Sequence, residues 1–135
     1  MKRSKQEKPA LPVEYCLYMT LAVKEQEKEP AVLVQLQTVQ EFNSFRYEIV
    51  VKDSIQDNSL RLEIHGLRAP QQILPAMGPA TFRKEYRQFT GTKEIVVSKI
   101  DGEENSYLVD ISKQGIVVKR SPTKKFVELV TKPQK

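Results

Sequence analysis

Residues 45–52 read FRYEIVVK and residues 60–66 read LRLEIHG, and these two stretches decide the fold class. In the second stretch Leu60, Leu62 and Ile64 are separated by charged residues, and the first stretch alternates in the same way. An apolar residue at every second position is typical of a β-strand with one buried face. The segment between them reads DSIQDNS, a composition that predicts a turn. Clean apolar and polar faces favour an antiparallel sheet that exposes one face to water.

The same alternation continues through most of the chain. In the second half, Gly91, Gly102 and Gly115 recur at intervals of 11 and 13 residues, as in successive hairpins. Clear strands are therefore predicted at 13–23, 31–39, 45–52, 60–66, 92–100, 106–112 and 115–120.

Two further segments fit either a strand or a helix. In 81–89 the aromatic residues Phe82, Tyr86 and Phe89 have the spacing of one helical face, although the link through Gly91 to the next strand favours a strand. In 121–131, Ser121-Pro122 resembles the start of a short helix, whereas the Phe, Val and Thr content favours a last strand over 125–131.

Eight or nine strands without βαβ spacing indicate an all-β fold. The proline-rich segment 67–80 reads as a crossover between two sheets, which predicts an antiparallel β-sandwich of immunoglobulin-like architecture. A closed β-barrel is the alternative. "Immunoglobulin-like" describes the architecture only, because the chain has no Trp and one Cys. The predicted core residues are Leu17, Leu21, Val34, Tyr47, Ile49, Leu62, Ile64, Val96, Leu108 and Val118.

The length of 135 residues fits one domain. We expect a basic leader over 1–12, a single domain over 13–131 and a basic tail over 132–135. The basic start runs into polar residues rather than an apolar signal segment, and no apolar run is long enough to span a membrane, so the sequence predicts a cytoplasmic protein. The long, weakly charged strand 13–23 is predicted to be central or paired across a homodimer interface.

Positive charge is concentrated at the two ends of the chain. The formal net charge is +5, yet residues 1–8 carry +3, residues 113–135 carry +6, and residues 9–112 carry −4. Basic ends are typical of solvated, solubilising segments, and they also suit weak binding to nucleic acid, anionic lipid or an acidic partner.

Most catalytic and metal chemistries lack their residues here. One His and one Cys exclude the usual zinc sites, and no nucleophile elbow or phosphate-binding glycine motif is present. His65 falls on a polar strand face beside Glu63, which predicts an exposed histidine rather than a catalytic base. We therefore expect no enzyme activity, no cofactor and no metal.

Two segments remain as candidate binding sites. The rigid, apolar loop at 74–79 is either buried or a partner-binding patch, and its candidate contacts are Leu74, Pro75, Met77 and Pro79. The second segment interleaves cations and aromatic rings as in single-strand nucleic-acid binding, with candidate contacts Arg83, Lys84, Tyr86 and Arg87. The sequence thus favours a non-enzymatic module acting through protein contacts, with a nucleic-acid-binding β-barrel as the alternative.

Overall fold

The computed structural model describes residues 13–22, 30–43, 46–69 and 77–131. In these residues the chain forms strands and turns only, so both ambiguous segments contain strands rather than helices. The strands are β1 (Tyr15–Ala22), β2 (Ala31–Phe42), β3 (Glu48–Gln56), β4 (Ser59–Arg68), β5 (Gly78–Tyr86), β6 (Gly91–Ser98), β7 (Glu104–Ser112), β8 (Gly115–Arg120) and β9 (Val127–Val130).

All nine strands belong to one sheet that curls into a half-barrel, in the order β8-β7-β6-β4-β3-β5-β2-β1-β9. The predicted all-β class is confirmed, but the two-sheet antiparallel sandwich is wrong. The sheet is mixed, because β9 pairs with β1, β5 with β3 and β6 with β4 in parallel. Cα atoms of β8 come within 8 Å of β1, yet no ladder joins these strands in the described chain. The sheet therefore curls towards the closed barrel that was predicted as the alternative but does not close through backbone pairing.

The sheet consists of two groups of strands, which we call arms, and a single paired position joins them. β3 and β5 are paired only at Glu48 and Thr81, where the Thr81 N–H donates to the Tyr47 carbonyl at 3.2 Å. On one side of this seam lie β3, β4, β6, β7 and β8, and on the other lie β5, β2, β1 and β9. The inner faces of both arms contribute to one apolar cluster. The two arms thus share one core inside a single curled sheet whose backbone pairing is continuous.

The two ends of the curled sheet are joined through side chains, in what we call the clasp. Asn105, at the start of β7, is only 3% exposed. Its Oδ1 accepts the N–H groups of Phe126 at 2.9 Å and Val127 at 3.1 Å, and its Nδ2 donates to the Lys124 carbonyl at 2.9 Å. The Tyr107 hydroxyl donates to the Val127 carbonyl, and burial raises the pKa of Tyr107 to about 12. These contacts hold β9 against β7 without a ladder between them.

Six of the ten predicted core residues are buried, and four are not. Leu21 and Tyr47 lie half-buried against the core. Leu108 is half-buried on the outer face of β7, whereas the inner face carries Tyr107 and Val109, so the predicted face of this strand is wrong. Val118 is 36% exposed, because β8 is a terminal strand covered on one edge only. Those buried as predicted are Leu17, Val34, Ile49, Leu62, Ile64 and Val96.

Three connections differ from the expectation. β3 extends to Gln56, so the turn predicted over 53–59 shrinks to residues 57 and 58, with Asp57 in a left-handed conformation at φ 53°. β5 and β6 do not form a hairpin, since β5 pairs with β2 and β3 while β6 pairs with β4 and β7. The segment 67–80 leads from β4 to β5 within the same sheet, past β3, and its residues 70–76 lie outside the described residues, as do the predicted leader and tail.

β1 is an interior strand. It pairs with β2 along its whole length and with β9 over Tyr15 to Tyr18. Of the two arrangements predicted for it, the central one is therefore correct.

Truncating Leu62 should destabilise the fold strongly. Leu62 is fully buried in the apolar cluster that both arms share, so Leu62→Ala is expected to lower the free energy of unfolding by about 2–5 kcal/mol. The control is Leu108→Ala on the half-buried outer face, with an expected loss of about 1 kcal/mol. Urea unfolding of both variants measures the difference, and equal losses would contradict the assigned faces.

Removing the carboxamide of Asn105 should open the clasp. Asn105→Ala leaves two buried N–H groups without an acceptor, so we expect a loss of about 2–4 kcal/mol in urea unfolding. Asn58→Ala, in the exposed β3–β4 turn, should cost less than about 1 kcal/mol. If Asn105→Ala unfolds at the same urea concentration as the wild type, the clasp contributes nothing to the stability of the fold.

Candidate binding surface at the open end of the half-barrel

One end of the half-barrel carries four of the seven exposed large apolar side chains of the described residues. The start of β1, the ends of β2 and β4, the start of β5 and the β6–β7 loop line two shallow recesses there or lie directly beside them. We call this surface the open end and define it by the six residues Tyr15, Val39, Phe42, Leu67, Met77 and Ile100.

Four side chains of the open end are exposed to an unusual degree for apolar residues. The exposed fractions are 53% for Val39, 44% for Leu67, 65% for Met77 and 76% for Ile100. In the described chain, the other large apolar residues of comparable exposure are Ile55 at the β3–β4 turn and two valines of β8. Single exposed apolar residues are ordinary, whereas a group around a recess is typical of an interaction site.

The two recesses share Tyr15. The first has a volume of about 370 Å³ and is lined by Val13, Thr38, Val39, Phe42 and Leu67 among others. The second, of about 280 Å³, is lined by Ile64, Gly66, Lys99 and Ile100 among others. Together they present a mainly apolar floor interrupted by a few polar atoms, which is how peptide and ligand sites are commonly built.

A cluster of charged side chains lies at the rim of the second recess. The ammonium of Lys99 lies 2.9 Å from Glu14 Oε2 and 3.0 Å from Glu103 Oε1, and 4.7 Å from the centre of the Phe126 ring. Desolvation disfavours the charge on Lys99, but the hydrogen bonds to both carboxylates outweigh it and raise the pKa of Lys99. Lys99 is therefore a fixed cation whose charge is already compensated.

The rim as a whole has more carboxylates than cations. Arg68 binds Glu48 at 3.0 and 2.6 Å, and the Nε of Arg46 donates to the Met77 carbonyl at 3.2 Å. The rim carboxylates are Glu14, Glu41, Glu48, Asp101 and Glu103, and the rim cations are Arg46, Arg68 and Lys99. The open end is thus apolar in its centre and mildly acidic at its border.

The predicted partner-binding loop leads into this end. Met77 is exposed at the open end, Pro79 is half-buried in β5, and Leu74 and Pro75 lie outside the described residues. β5 begins at Gly78, where a Cβ would lie 2.9 Å from the Nε of Arg46, so a larger residue would displace that guanidinium.

Sequence reasoning missed Val39, Leu67 and Ile100. Ile100 precedes Asp101-Gly102 in a hairpin loop, where an apolar residue is itself a signal of exposure. Val39 and Leu67 have no comparable signal in the sequence, since each lies in an alternating strand. Each is exposed because its strand extends beyond the core.

The four predicted nucleic-acid contacts do not form a stacking platform. Tyr86 is 5% exposed, and its hydroxyl donates to Asp53 Oδ2 at 2.8 Å. Lys84 reaches the same oxygen at 2.8 Å and lies 5.5 Å from the Tyr86 ring centre. Arg83 is exposed in β5, and Arg87 follows β5, 3.7 Å from Glu85. The Asp53 cluster instead bridges β3 and β5 where these strands no longer pair.

The remaining reactive side chains do not line the two recesses, although each is next in sequence to residues that do. His65 is exposed on β4, with its Nε2 3.4 Å from Glu63 Oε1. Cys16 is a half-buried free thiol in β1. Across the described ranges, no group of three or more His, Cys, Asp or Glu side chains is placed to hold a metal ion. Nor does the described part of the chain contain a helix long and apolar enough to cross a membrane.

Comparison of the chain with protein-family models, with curated proteins and with solved structures finds no match.

Acid should weaken the Asp53 bridge. The hydrogen bond from Lys84 lowers the pKa of Asp53 against the effect of desolvation, and Tyr86 adds to the lowering. A carboxylate with a lowered pKa stabilises the fold above its ordinary value of 3.8, and this stability is lost as the pH falls through the lowered value. Asp53→Asn should therefore be less stable than the wild type at neutral pH, and the difference should shrink as the pH falls below 3.8. Urea unfolding across this range measures it. The control is Asp110→Asn, which removes an acid without an ion pair in the described residues and should cost less stability at neutral pH.

Proposed function

We propose that this chain is a non-enzymatic protein-binding module whose binding surface is the open end. The observation that carries the proposal is the grouping of the exposed residues Val39, Leu67, Met77 and Ile100 in or beside two recesses at one end of the structure. Keeping such a group in water is unfavourable, and covering it with a partner releases that cost.

The border of the open end favours a particular kind of partner. Its excess of carboxylates would attract cations and repel an acidic segment. Lys99 offsets only one of the two negative charges of Glu14 and Glu103, so this cluster keeps a net charge of about −1. We therefore infer a short partner segment with apolar side chains in its centre and Lys or Arg at its ends.

Nucleic-acid binding has less support. Tyr86 is buried and Lys84 is bound to Asp53, so neither is offered to a base or a phosphate in this arrangement. An acidic border at the open end opposes phosphate as well. The cytoplasmic location expected from the sequence stays a prediction.

Two synthetic peptides test the partner chemistry. Both carry the central residues Ile-Leu-Val-Phe, one flanked by two Lys on each side and the other by two Glu. We expect the Lys-flanked peptide to shift the backbone amide signals of Val39, Leu67 and Ile100 in nuclear magnetic resonance titrations, and the Glu-flanked peptide to shift them much less. Leu67→Asp should weaken the binding of the Lys-flanked peptide about tenfold or more, because it removes a central apolar contact.

The matched control is Ile55→Asp. Ile55 is 50% exposed and belongs to the same β3–β4 hairpin, but it lies at the opposite end. Equal loss of binding in both variants, or equal binding of both peptides, would contradict the proposal. Light scattering tests whether a second copy of the chain occupies the open end instead. If the wild type has the mass of a dimer and Leu67→Asp has the mass of a monomer, the open end is a homodimer interface and the proposed partner segment is wrong.

A further inference from the structure

β8 presents a second surface, independent of the open end. It is a terminal strand of the sheet with β7 as its hydrogen-bonded neighbour, and no ladder covers its other edge in the described chain. Alternate residues of an antiparallel edge strand direct their N–H and C=O groups away from the neighbouring strand. In the described chain these groups have no ladder partner, although Cα atoms of β1 come within 8 Å of β8 and the register with β7 shifts at Lys119.

The side chains of β8 leave this edge accessible. Gly115 and Ile116 are half-buried, but the next four residues are exposed. The exposed fractions are 56% for Val117 and 36% for Val118. Because consecutive residues of a strand point to opposite faces, both faces of β8 carry an exposed valine. An incoming strand would therefore find apolar contacts on both sides.

The region around β8 is strongly basic. No acidic residue occurs between Asp110 and Glu128. Four exposed cations lie in and beside the strand, and none of them forms an ion pair in the part of the chain that the structure describes: Lys113, Lys119, Arg120 and Lys124. This concentration is the opposite of the mildly acidic border of the open end.

We propose that the free edge of β8 binds an extended acidic segment of a partner protein as an added strand. Backbone hydrogen bonds would supply affinity, as in other strand-addition complexes, and the cations would select a segment rich in Asp or Glu. A second copy of this chain is a poorer occupant. Pairing two β8 strands would bring the same four cations of each copy together without a carboxylate in either strand, and basic residues on an edge commonly prevent such self-association.

N-methylated peptides test strand addition on the unaltered chain. The probe is a six-residue peptide of alternating Glu and Val, measured by fluorescence anisotropy and by amide signals of β8. Two isomers carry N-methyl groups on alternate residues. In the first isomer the methyl groups block the N–H groups along one edge of the extended peptide, and in the second they block those along the other edge. An added strand uses the N–H groups of one edge only, so one isomer should lose binding and the other should keep it. Equal binding of both isomers, or no binding of the parent peptide, would overturn the proposal.

Charge reversal tests the selection of an acidic segment. Lys119→Glu should weaken binding of the Glu-Val peptide about fivefold, the effect of one surface charge pair. Lys52→Glu, at another exposed lysine in a strand of the same arm, should leave it within about twofold. A single-stranded oligonucleotide that binds with the same dependence on Lys119 would overturn the proposal in favour of a general polyanion surface. Leu67→Asp should leave binding of this peptide unchanged, which separates failure here from failure at the open end.

Discussion

The carboxamide of Asn105 is the contact on which the curvature of the sheet depends. A single curled sheet has two ends, and in this chain they are β8 and β9, which do not pair with each other. Asn105 accepts the buried N–H groups of Phe126 and of Val127, the first residue of β9, so the chain can leave β8 and pair with β1 through β9. Without a polar side chain at this position, those groups would be buried unpaired, which is costly in an apolar interior.

The second constraint is the seam between β3 and β5. One paired position, Glu48 with Thr81, keeps the backbone continuous, and the cluster of Asp53 with Lys84 and Tyr86 spans the divergence beyond it. The seam lets the two arms face each other and share one core. At one end the strands continue past that core, which leaves apolar side chains such as that of Leu67 without cover. The open end is thus a consequence of how the arms are joined.

The two proposed surfaces differ in chemistry because their strands have different roles. The open end lies where interior strands end, so it offers apolar side chains and a border of carboxylates. The β8 edge lies where the sheet itself stops, so it offers backbone groups as well as cations. An apolar basic segment fits the first surface and an extended acidic segment fits the second. One partner with both kinds of segment, or two partners, would be compatible with this arrangement.

Alternation along the sequence was sufficient to predict seven of the nine strands, because the period of two is a local property that each strand carries by itself, whereas β5 and β9 stayed open between strand and helix. It also assigned the buried face of β4 correctly, since Leu62 and Ile64 are separated by charged residues. It failed in β7, where the buried face holds Asn105 and Tyr107, which look like surface residues until the clasp is known. Sequence alone could not establish which strands pair. The tertiary structure decided that β6 lies beside β4 rather than beside β5, and hence which apolar residues stay exposed, because strand order depends on edges that only the assembled sheet brings together.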